Sequence, residues 1–460
     1  MLPRPTTQVY KIDSYENSKA ILQIVSQALE SHLMLAGWTP HPDRHIVIKP
    51  NWVQESHEYK PDEWECVITH PSVLLAVITA TAQWMQGQGT ISLCDAPHTY
   101  ANFSAILNRG HLDSSLESIR SRWPNLNLEL IDLRREIWLR KEEVVVSRVP
   151  NEPDPRGYVA LNLGKSSLFY NHPGEGKYYG ADYDVSAVRS HHQGEIQEYL
   201  LAGTPIACDL FINVAKLKTH KKTGITCCLK NLVGINGDKN WLPHHTQGSP
   251  RQGGDEYPDT TPSQQLESSL KSFGQKLALR FPGLGTWLFR KMRRAGKAML
   301  GDSETTIRNG NWYGNNTCWR MALDLNRCLL FGNSDGSWRS SNQPKPYLGI
   351  IDGIVAGEGN GPICPDPVNA NVLITGTSPA VLDAVAAQLM GFEPQRISIV
   401  RESFAIDHPL PIADSTLDDI RVWDHREQDE IRLTDLKPAT LLRFRPHFGW
   451  ADYLGGPADP

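Results

Sequence analysis

The chain has 460 residues, of which 40% are hydrophobic and 21% charged, and its formal net charge is −5. This composition is ordinary for a folded globular protein and argues against extended disorder. The slightly negative charge argues against a dedicated nucleic-acid binder, which is usually basic. The first residues lack the apolar core of a signal peptide, and no apolar run could span a bilayer, so we expect a cytoplasmic protein.

The cysteines do not form a recognisable metal or disulfide framework. They lie at positions 66, 94, 208, 227, 228, 318, 328 and 364, and no two have the Cys-x-x-Cys spacing. Zinc ribbons and ferredoxin-type clusters need that local spacing. We therefore expect no iron–sulfur cluster, and we predict that most cysteines are buried as small apolar side chains.

Helices and strands alternate in the N-terminal part of the chain. Apolar residues recur with a helical period over 18–35, and short β-branched runs at 45–51 and 90–94 are typical of buried strands. Pro71 is well placed as the first residue of a helix that continues over 72–85. Buried strands that alternate with helices predict a parallel α/β arrangement.

The rest of the chain continues this pattern. We predict strands at 126–133, 210–214, 347–351 and 371–374, a hairpin of 144–149 with 158–163, and helices at 195–201 and 381–390. The expected fold class is therefore α/β, with an open, mostly parallel sheet flanked by helices, a helical insertion and a small C-terminal extension.

Composition divides the chain into three parts. Residues 1–245 and 310–414 form the expected α/β catalytic core, 246–309 a loop plus a basic helical insertion, and 415–460 a C-terminal extension. Within the insertion, 263–300 places lysines and arginines among aromatic residues. Such a segment favours a peripheral contact with an anionic membrane, a lid, or a docking site for a protein partner.

The segment 208–245 has the highest density of polar functional groups in the chain. An apolar run suited to a buried strand leads into Lys216, Lys218 and His220, followed by glycines and further lysines and histidines. Polar residues also follow the other predicted strands, namely Lys49, Asn51, Asp95 and Asp352. Because ligands bind at the carboxyl ends of parallel strands, we expect these groups to share one crevice.

These side chains support two kinds of site. A divalent transition metal would take its ligands from His220, His244, His245, Asp95 and Asp352. A small anionic substrate would be held by lysines, and a desolvated lysine could act as a base; the catalytic candidates are Lys49, Lys218 and Lys230. The substrate-binding candidates are Asn51, Lys216, Thr223, Asn231, Gly359 and Gly361, the two glycines being part of a predicted loop at 357–362.

The same residues resemble a family signature. Lys216-Leu-Lys-Thr-His220, Thr223-Gly-Ile-Thr226 and Leu229-Lys-Asn-Leu-Val-Gly234 are similar to blocks of the uncharacterised family catalogued as domain of unknown function number 362. The chain is also similar to the other blocks of this family, and the resemblance covers about residues 45–400. These further segments are Ile48-Lys-Pro-Asn51, Asp95-Ala-Pro97, Asp352-Gly353, Gly357-x-Gly-x-Gly361-Pro362 and Asp383. The resemblance implies no general activity.

The strand that leads into a loop rich in histidine, glycine and lysine also bears a looser likeness to enzymes of the lactate-racemase type. In those enzymes such a loop is built around a bound nickel cofactor. For this chain the likeness is used as an analogy only.

The residues leave three functions open. The first is a metal-assisted enzyme acting on a small anionic organic substrate, such as a hydroxy, amino or sugar acid. The second is a metal-free enzyme that binds phosphate or a cofactor in a lysine-rich pocket. The third is a non-catalytic protein that docks on a membrane or a partner through 263–300.

Overall fold

The fold is built on one large mixed sheet, seen in a computed structural model that describes residues 7–35, 37–39, 41–141, 144–180, 184–259, 306–436 and 440–454. The strands are, in chain order, β1 (Thr7–Lys11), β2 (His45–Pro50), β3 (Thr90–Asp95), β4 (Asn127–Asp132), β5 (Glu136–Lys141), β6 (Val144–Pro150), β7 (Tyr158–Asn162), β8 (Tyr178–Gly180), β9 (His192–Gln193), β10 (Ile196–Ala202), β11 (Leu210–His220), β12 (Gly224–Thr226), β13 (Pro243–Thr246), β14 (Tyr347–Asn360), β15 (Cys364–Gly376), β16 (Arg421–Asp424) and β17 (Asp429–Arg432).

Ten of these strands form the large sheet, in the order β17-β16-β1-β15-β14-β11-β2-β3-β4, with β12 paired to β11. The run from β14 through β11, β2 and β3 to β4 is parallel, whereas β15 runs antiparallel to β14 and to β1. The predicted α/β class with a mostly parallel sheet is confirmed. The smaller sheets have the orders β7-β10-β9, β13-β8 and β5-β6.

Helices cover both faces of the sheet. They are α1 (Ser18–Leu35), α2 (Pro71–Trp84), α3 (Phe103–Asn108), α4 (Leu112–Arg122), α5 (Val185–Ser190), α6 (Gly203–Ala207), α7 (Cys228–Asn231), α8 (Cys318–Phe331), α9 (Pro379–Leu389), α10 (Ser398–Arg401) and α11 (Ala451–Leu454). Pro71 is the first residue of α2, as predicted, and the preceding His70 caps it by accepting from the Ser72 N–H.

Two apolar cores result from the alternation of side chains along the strands. In β11, Ile212 and Val214 pack into one core with residues of α1 and α2. Phe211 and Ala215 pack into the other, which contains residues of α8 and α9. All eight cysteines are buried and unbridged, which confirms their predicted burial.

Three predicted elements were wrong. Residues 196–202 form strand β10 and not a helix, because they pair antiparallel with β7 and bury Tyr199 and Leu201 on one side. The expected hairpin of 144–149 with 158–163 does not form, since β6 pairs with β5. The predicted glycine loop at 357–362 is largely the end of β14, and the turn to β15 begins only at Gly361.

The insertion and the C-terminal extension are described only in part. Segment 263–300, with its expected membrane or partner contact, lies outside the described residues. Strands β16 and β17 of the extension add to the large sheet beside β1. Among the residues that the structure describes, no helix combines the length and the hydropathy needed to cross a bilayer.

Candidate functional site

Three neighbouring parallel strands bring polar side chains to one edge of the sheet. Lys49 is the second-last residue of β2, Asp95 is the last residue of β3, and Lys218 lies near the end of β11. Because β2 pairs in parallel with both β3 and β11, these side chains leave the sheet at the same end. All three line one cavity of about 240 Å³.

The cavity, which we call the lysine pocket, has an excess of positive charge. Its described lining includes seven cationic side chains: Lys49, Arg140, Lys218, Lys221, Lys222, Lys230 and Lys239. Asp95 is the single carboxylate among those lining residues. Apolar and aromatic groups complete the wall, including Trp52, Tyr100, Val233 and Ile363. Clefts lined by one sign of charge concentrate ligands of the opposite sign.

A buried ion pair forms part of the wall. Lys49 Nζ lies 2.7 Å from Asp95 Oδ1, and both side chains are almost fully buried. Lys49 also donates to the Pro50 carbonyl at 2.8 Å, and Asp95 Oδ2 accepts from the Trp52 N–H at 2.8 Å. Burial lowers the pKa of Lys49 and raises that of Asp95, and their mutual attraction opposes both shifts.

A chain of amide side chains fixes the groups beside this ion pair. Asn213 donates to the Cys228 carbonyl at 2.9 Å and accepts from Asn231 Nδ2 at 2.7 Å. Asn231 Oδ1 then accepts from Asn51 Nδ2 at 2.8 Å and from Lys49 Nζ at 3.2 Å. This series of hydrogen bonds starts at a backbone carbonyl, which can only accept. The positions of the oxygen and nitrogen atoms in each side-chain amide are therefore determined.

Helix α7 carries Lys230 into the pocket. Asp383 on α9 accepts from the N–H groups of Cys228 at 2.7 Å and Leu229 at 3.2 Å, which ties the start of α7 to the core. Burial raises the pKa of Asp383 to about 8, and the two N–H groups counteract that shift. Lys230 is only 7% exposed and has no ion pair or hydrogen bond from its ammonium within the described part of the chain.

Lys218 is also buried, and no carboxylate of the described residues pairs with it. Its Nζ donates to the Val67 carbonyl and, at 3.2 Å, to the Pro362 carbonyl. Burial lowers the pKa of Lys218 to about 7, and the positive charges of Lys216 and Lys230 add to the decrease. Near neutral pH this side chain is therefore available both as an ammonium and as a free amine.

His220 and His244 line the pocket as neutral rings. His220 Nδ1 accepts from the N–H groups of Lys222 at 3.0 Å and Thr223 at 3.3 Å, so its Nε2 carries the proton. His244 Nδ1 donates to the Leu242 carbonyl at 3.0 Å, so its Nε2 keeps the lone pair. Burial, followed by nearby lysines, lowers the pKa of both rings well below its usual range.

A second buried ion pair lies outside the pocket lining. Lys216 Nζ is 2.9 Å from Asp352 Oδ2, and both side chains are fully buried. Tyr15 donates to Asp352 Oδ1 at 2.9 Å and accepts from Lys216 at 2.8 Å, while the His70 N–H donates to Asp352 Oδ2 at 2.9 Å. These contacts connect the middle of β11 and of β14 to the start of α2.

The pocket lining includes the following predicted site residues: Lys49, Asn51, Asp95, Lys218, His220, Lys230, Asn231 and His244. Others lie elsewhere. His245 stacks on Tyr179 with ring centroids 4.9 Å apart, and Thr223 Oγ1 donates to the Ile225 carbonyl at 2.9 Å. Gly359 and Gly361 are not among the lining residues, but Pro362 and Ile363, which follow them, are.

Sequence patterns missed one side of the pocket. Arg140 lies over the ring of Tyr100, with Cζ 3.2 Å from the ring centroid, and the Tyr100 hydroxyl is 2.7 Å from His98 Nδ1. His98 follows β3 closely, so its position after a strand was a usable signal. Arg140 belongs to β5, which is not part of the large sheet, and nothing in its local sequence indicates the pocket.

The predicted metal ligands are only partly brought together. His220, His244 and Asp95 line the pocket, but Asp95 and Asp352 are each in an ion pair with a lysine. Across the described ranges, no group of three or more His, Cys, Asp and Glu side chains is arranged to hold a metal ion. The divalent transition metal stays a prediction.

The parallel sheet with a polar site at its strand ends defines an α/β protein with a cationic crevice. The model of the family described as a domain of unknown function (DUF362) matches residues 46–388, and the chain belongs to this family. No curated protein matches the chain.

One solved structure that the chain resembles is the crystal structure of a protein from Thermotoga maritima, determined as a structural genomics target. The two share 9% sequence identity with a TM-score of 0.30. The similarity covers 78% of this chain and 55% of the Thermotoga maritima chain.

Proposed function

We propose that the protein is an enzyme that binds a small molecule with two or more negative charges in the lysine pocket, and that Lys218 is its base. The observation that carries the proposal is Lys230. Its ammonium is almost fully buried and has no counter-charge in the described chain. Burying an unpaired charge is costly, so such a group is best explained by an anion that binds beside it.

The remaining wall supports the same ligand class. Lys218 adds a second cation, whose ammonium donates to two backbone carbonyls. His220 presents a ring in which Nε2–H is a donor, and further lysines line the pocket. Several positive groups around one small cavity suit a ligand with two anionic groups, such as a phosphorylated acid or a dicarboxylate.

Lys218 supports catalysis as well as binding. A general base must have a pKa near the working pH, and burial lowers the pKa of Lys218 to about 7. As a free amine it can take a proton from a bound substrate. The other cations of the pocket would then stabilise the negative charge that develops on that substrate.

Calorimetric titration of the full chain tests the proposal. The probes are pyrophosphate, citrate and 2-phosphoglycolate, with acetate as a singly charged control. We expect binding of at least one doubly or triply charged probe, weakened tenfold or more by Lys230→Met, since a charge-assisted hydrogen bond is worth about 1.5–3 kcal/mol.

Lys345 provides a matched control. It is 2% exposed, donates to the carbonyls of Ile206 and Cys208 at 2.9 Å each, and does not line the pocket. Lys345→Met therefore removes an equally buried lysine and should leave the affinity unchanged. Equal effects of the two substitutions, or no binding of any probe, would contradict the proposal.

A metal-assisted form of the same activity is a second candidate. His244 favours it, because its Nε2 keeps a lone pair on a ring that lines the pocket, and His220 lines the same pocket. The test is the metal content of tag-free protein beside a His244→Ala variant. About one equivalent of a transition metal, lost in the variant, would support this form, and its absence after reconstitution would reject it.

A further inference from the structure

We propose that Lys218 acts as a nucleophile, forming an imine with the carbonyl carbon of a small anionic aldehyde or ketone, such as a 2-oxo acid. The inference rests on the proposed anion binding and names the substrate class of the same pocket. It also gives Lys218 a covalent role in addition to proton transfer.

The contacts of Lys218 fit a free amine. A neutral amine has two N–H bonds and one lone pair, and Lys218 Nζ has two backbone acceptors, the carbonyls of Val67 and Pro362. With both N–H bonds directed to these oxygens, the lone pair is directed away from them. Because Lys218 lines the pocket, a bound ligand can meet that lone pair.

The surroundings favour the uncharged form that attack requires. Lys218 is fully buried, and within the part of the chain that the structure describes its ammonium contacts carbonyls and not a carboxylate. Burial together with the charges of Lys216 and Lys230 lowers its pKa. Lysines that form imines are activated in this way, by desolvation or by a neighbouring cation.

The rest of the pocket selects a carbonyl compound that is also anionic. Lys230 is placed to hold a carboxylate or phosphate, and the proton on His220 Nε2 can be donated to an oxygen. In a 2-oxo acid the carbonyl carbon is directly bonded to the carboxylate carbon. A 2-oxo acid whose carboxylate is held by Lys230 therefore brings its carbonyl carbon into the pocket that Lys218 also lines.

The step is balanced without an oxidant or a reductant. The Nζ lone pair attacks the carbonyl carbon, a C–N bond forms, and the oxygen becomes a hydroxyl group. The two protons of the amine end on that oxygen, which leaves as water when the C–O bond breaks. The product is a C=N bond between the substrate and Lys218.

Reductive trapping tests the inference. The full chain is incubated with glyoxylate, pyruvate or 2-oxoglutarate and sodium cyanoborohydride, then analysed by intact mass and peptide mapping. We expect one adduct per chain, located at Lys218 and suppressed by an excess of citrate or pyrophosphate. It should form roughly tenfold faster than with propionaldehyde, which lacks the anionic group.

Two variants complete the experiment. Lys218→Met should abolish the adduct, and Lys345→Met should retain it, because Lys345 has two carbonyl partners but does not line the pocket. Mapping and competition on the unmodified chain remain decisive if Lys218→Met fails to fold.

No adduct at Lys218 in a protein that binds polyanions would overturn the imine and leave the proposed function standing. Adducts spread over exposed lysines and insensitive to citrate would also overturn it. If neither polyanions nor 2-oxo acids bind, the proposed function itself fails.

Discussion

Gly234 lies directly against Asp95: a Cβ atom on Gly234 would be 2.0 Å from Asp95 Oδ1. The same atom would lie 2.5 Å from Lys49 Nζ. The Gly234 carbonyl also accepts from the Ala96 N–H at 2.8 Å, so the backbone is attached to the residue that follows Asp95. The Lys49–Asp95 ion pair is therefore covered by backbone that leaves no room for a side chain.

Gly234→Ala should separate this ion pair and impair the pocket. We expect a loss of about 1–3 kcal/mol in the free energy of unfolding, as for overpacked sites, together with weaker polyanion binding. Denaturant titration and calorimetry measure the two effects. Gly176→Ala is the control, because Gly176 has a φ of 76° and open space around it, so its cost is backbone strain alone. Unchanged binding in Gly234→Ala would contradict the role given to this contact.

Removing both charges of the Lys49–Asp95 pair should cost less stability than the two single removals added together. Lys49→Met or Asp95→Asn leaves a buried charge without its partner, which typically costs about 3–5 kcal/mol. The double variant contains neither charge, so it does not bury an unpaired one. We therefore expect its loss of stability to be clearly smaller than the sum of the two single losses. Additive losses in denaturant titrations would show that the two side chains are not coupled.

Lys218 should make stability depend on pH. Its pKa is about 7 in the folded protein, against the ordinary value of 10.5, so between these values the unfolded chain binds more protons. Stability from this group consequently rises with pH from about 7 to about 10.5, and it is lost again as the pH falls over the same range towards 7. Relative to Lys218→Met, the wild-type chain should gain stability over that range in urea titrations. A difference that is constant with pH would contradict the shift.

Asp352→Asn should reduce stability and leave polyanion binding in place. The substitution leaves Lys216 buried without its counter-charge, at a cost of about 3–5 kcal/mol. Neither residue belongs to the pocket lining, so the affinity for citrate or pyrophosphate at a temperature where the variant is folded should be that of the wild type. A tenfold loss of affinity would mean that this ion pair controls the pocket from a distance.

The part of the site that could be predicted from sequence is the part encoded locally. Lys49, Asp95 and Lys218 each follow a short apolar run and lie at or near the end of a strand, and a parallel sheet places such strand ends together. The same reasoning could not predict that Lys216 and Lys218 have different roles, because residues two apart in a strand should lie on the same face of the sheet. The register of β11 against β14 shifts between them, and this irregularity allows one lysine to pair with Asp352 while the other lines the pocket.

What could not be predicted depends on contacts between distant segments. Arg140 reaches the pocket because β5 and β6 form a separate hairpin, and neither strand has a pattern that reveals its position. Residues 196–202 have an ambiguous pattern, and pairing with β7 decides in favour of a strand. Gly359 and Gly361 were predicted to bind substrate, but from the turn between β14 and β15 it is Pro362 that lines the pocket.

The position of β1 in the sheet has a consequence for biosynthesis. Its neighbours are β15 and β16, whose first residues follow it in the chain by more than 350 positions. At about 5–20 residues per second, a ribosome needs roughly twenty seconds to a minute or more to make them. During that time Val9 and Tyr10, both buried in the finished protein, have no strand to pair with. Until the C-terminal part of the sheet has left the ribosome, the nascent chain therefore carries an unpaired strand with two exposed hydrophobic side chains, which is a risk for aggregation.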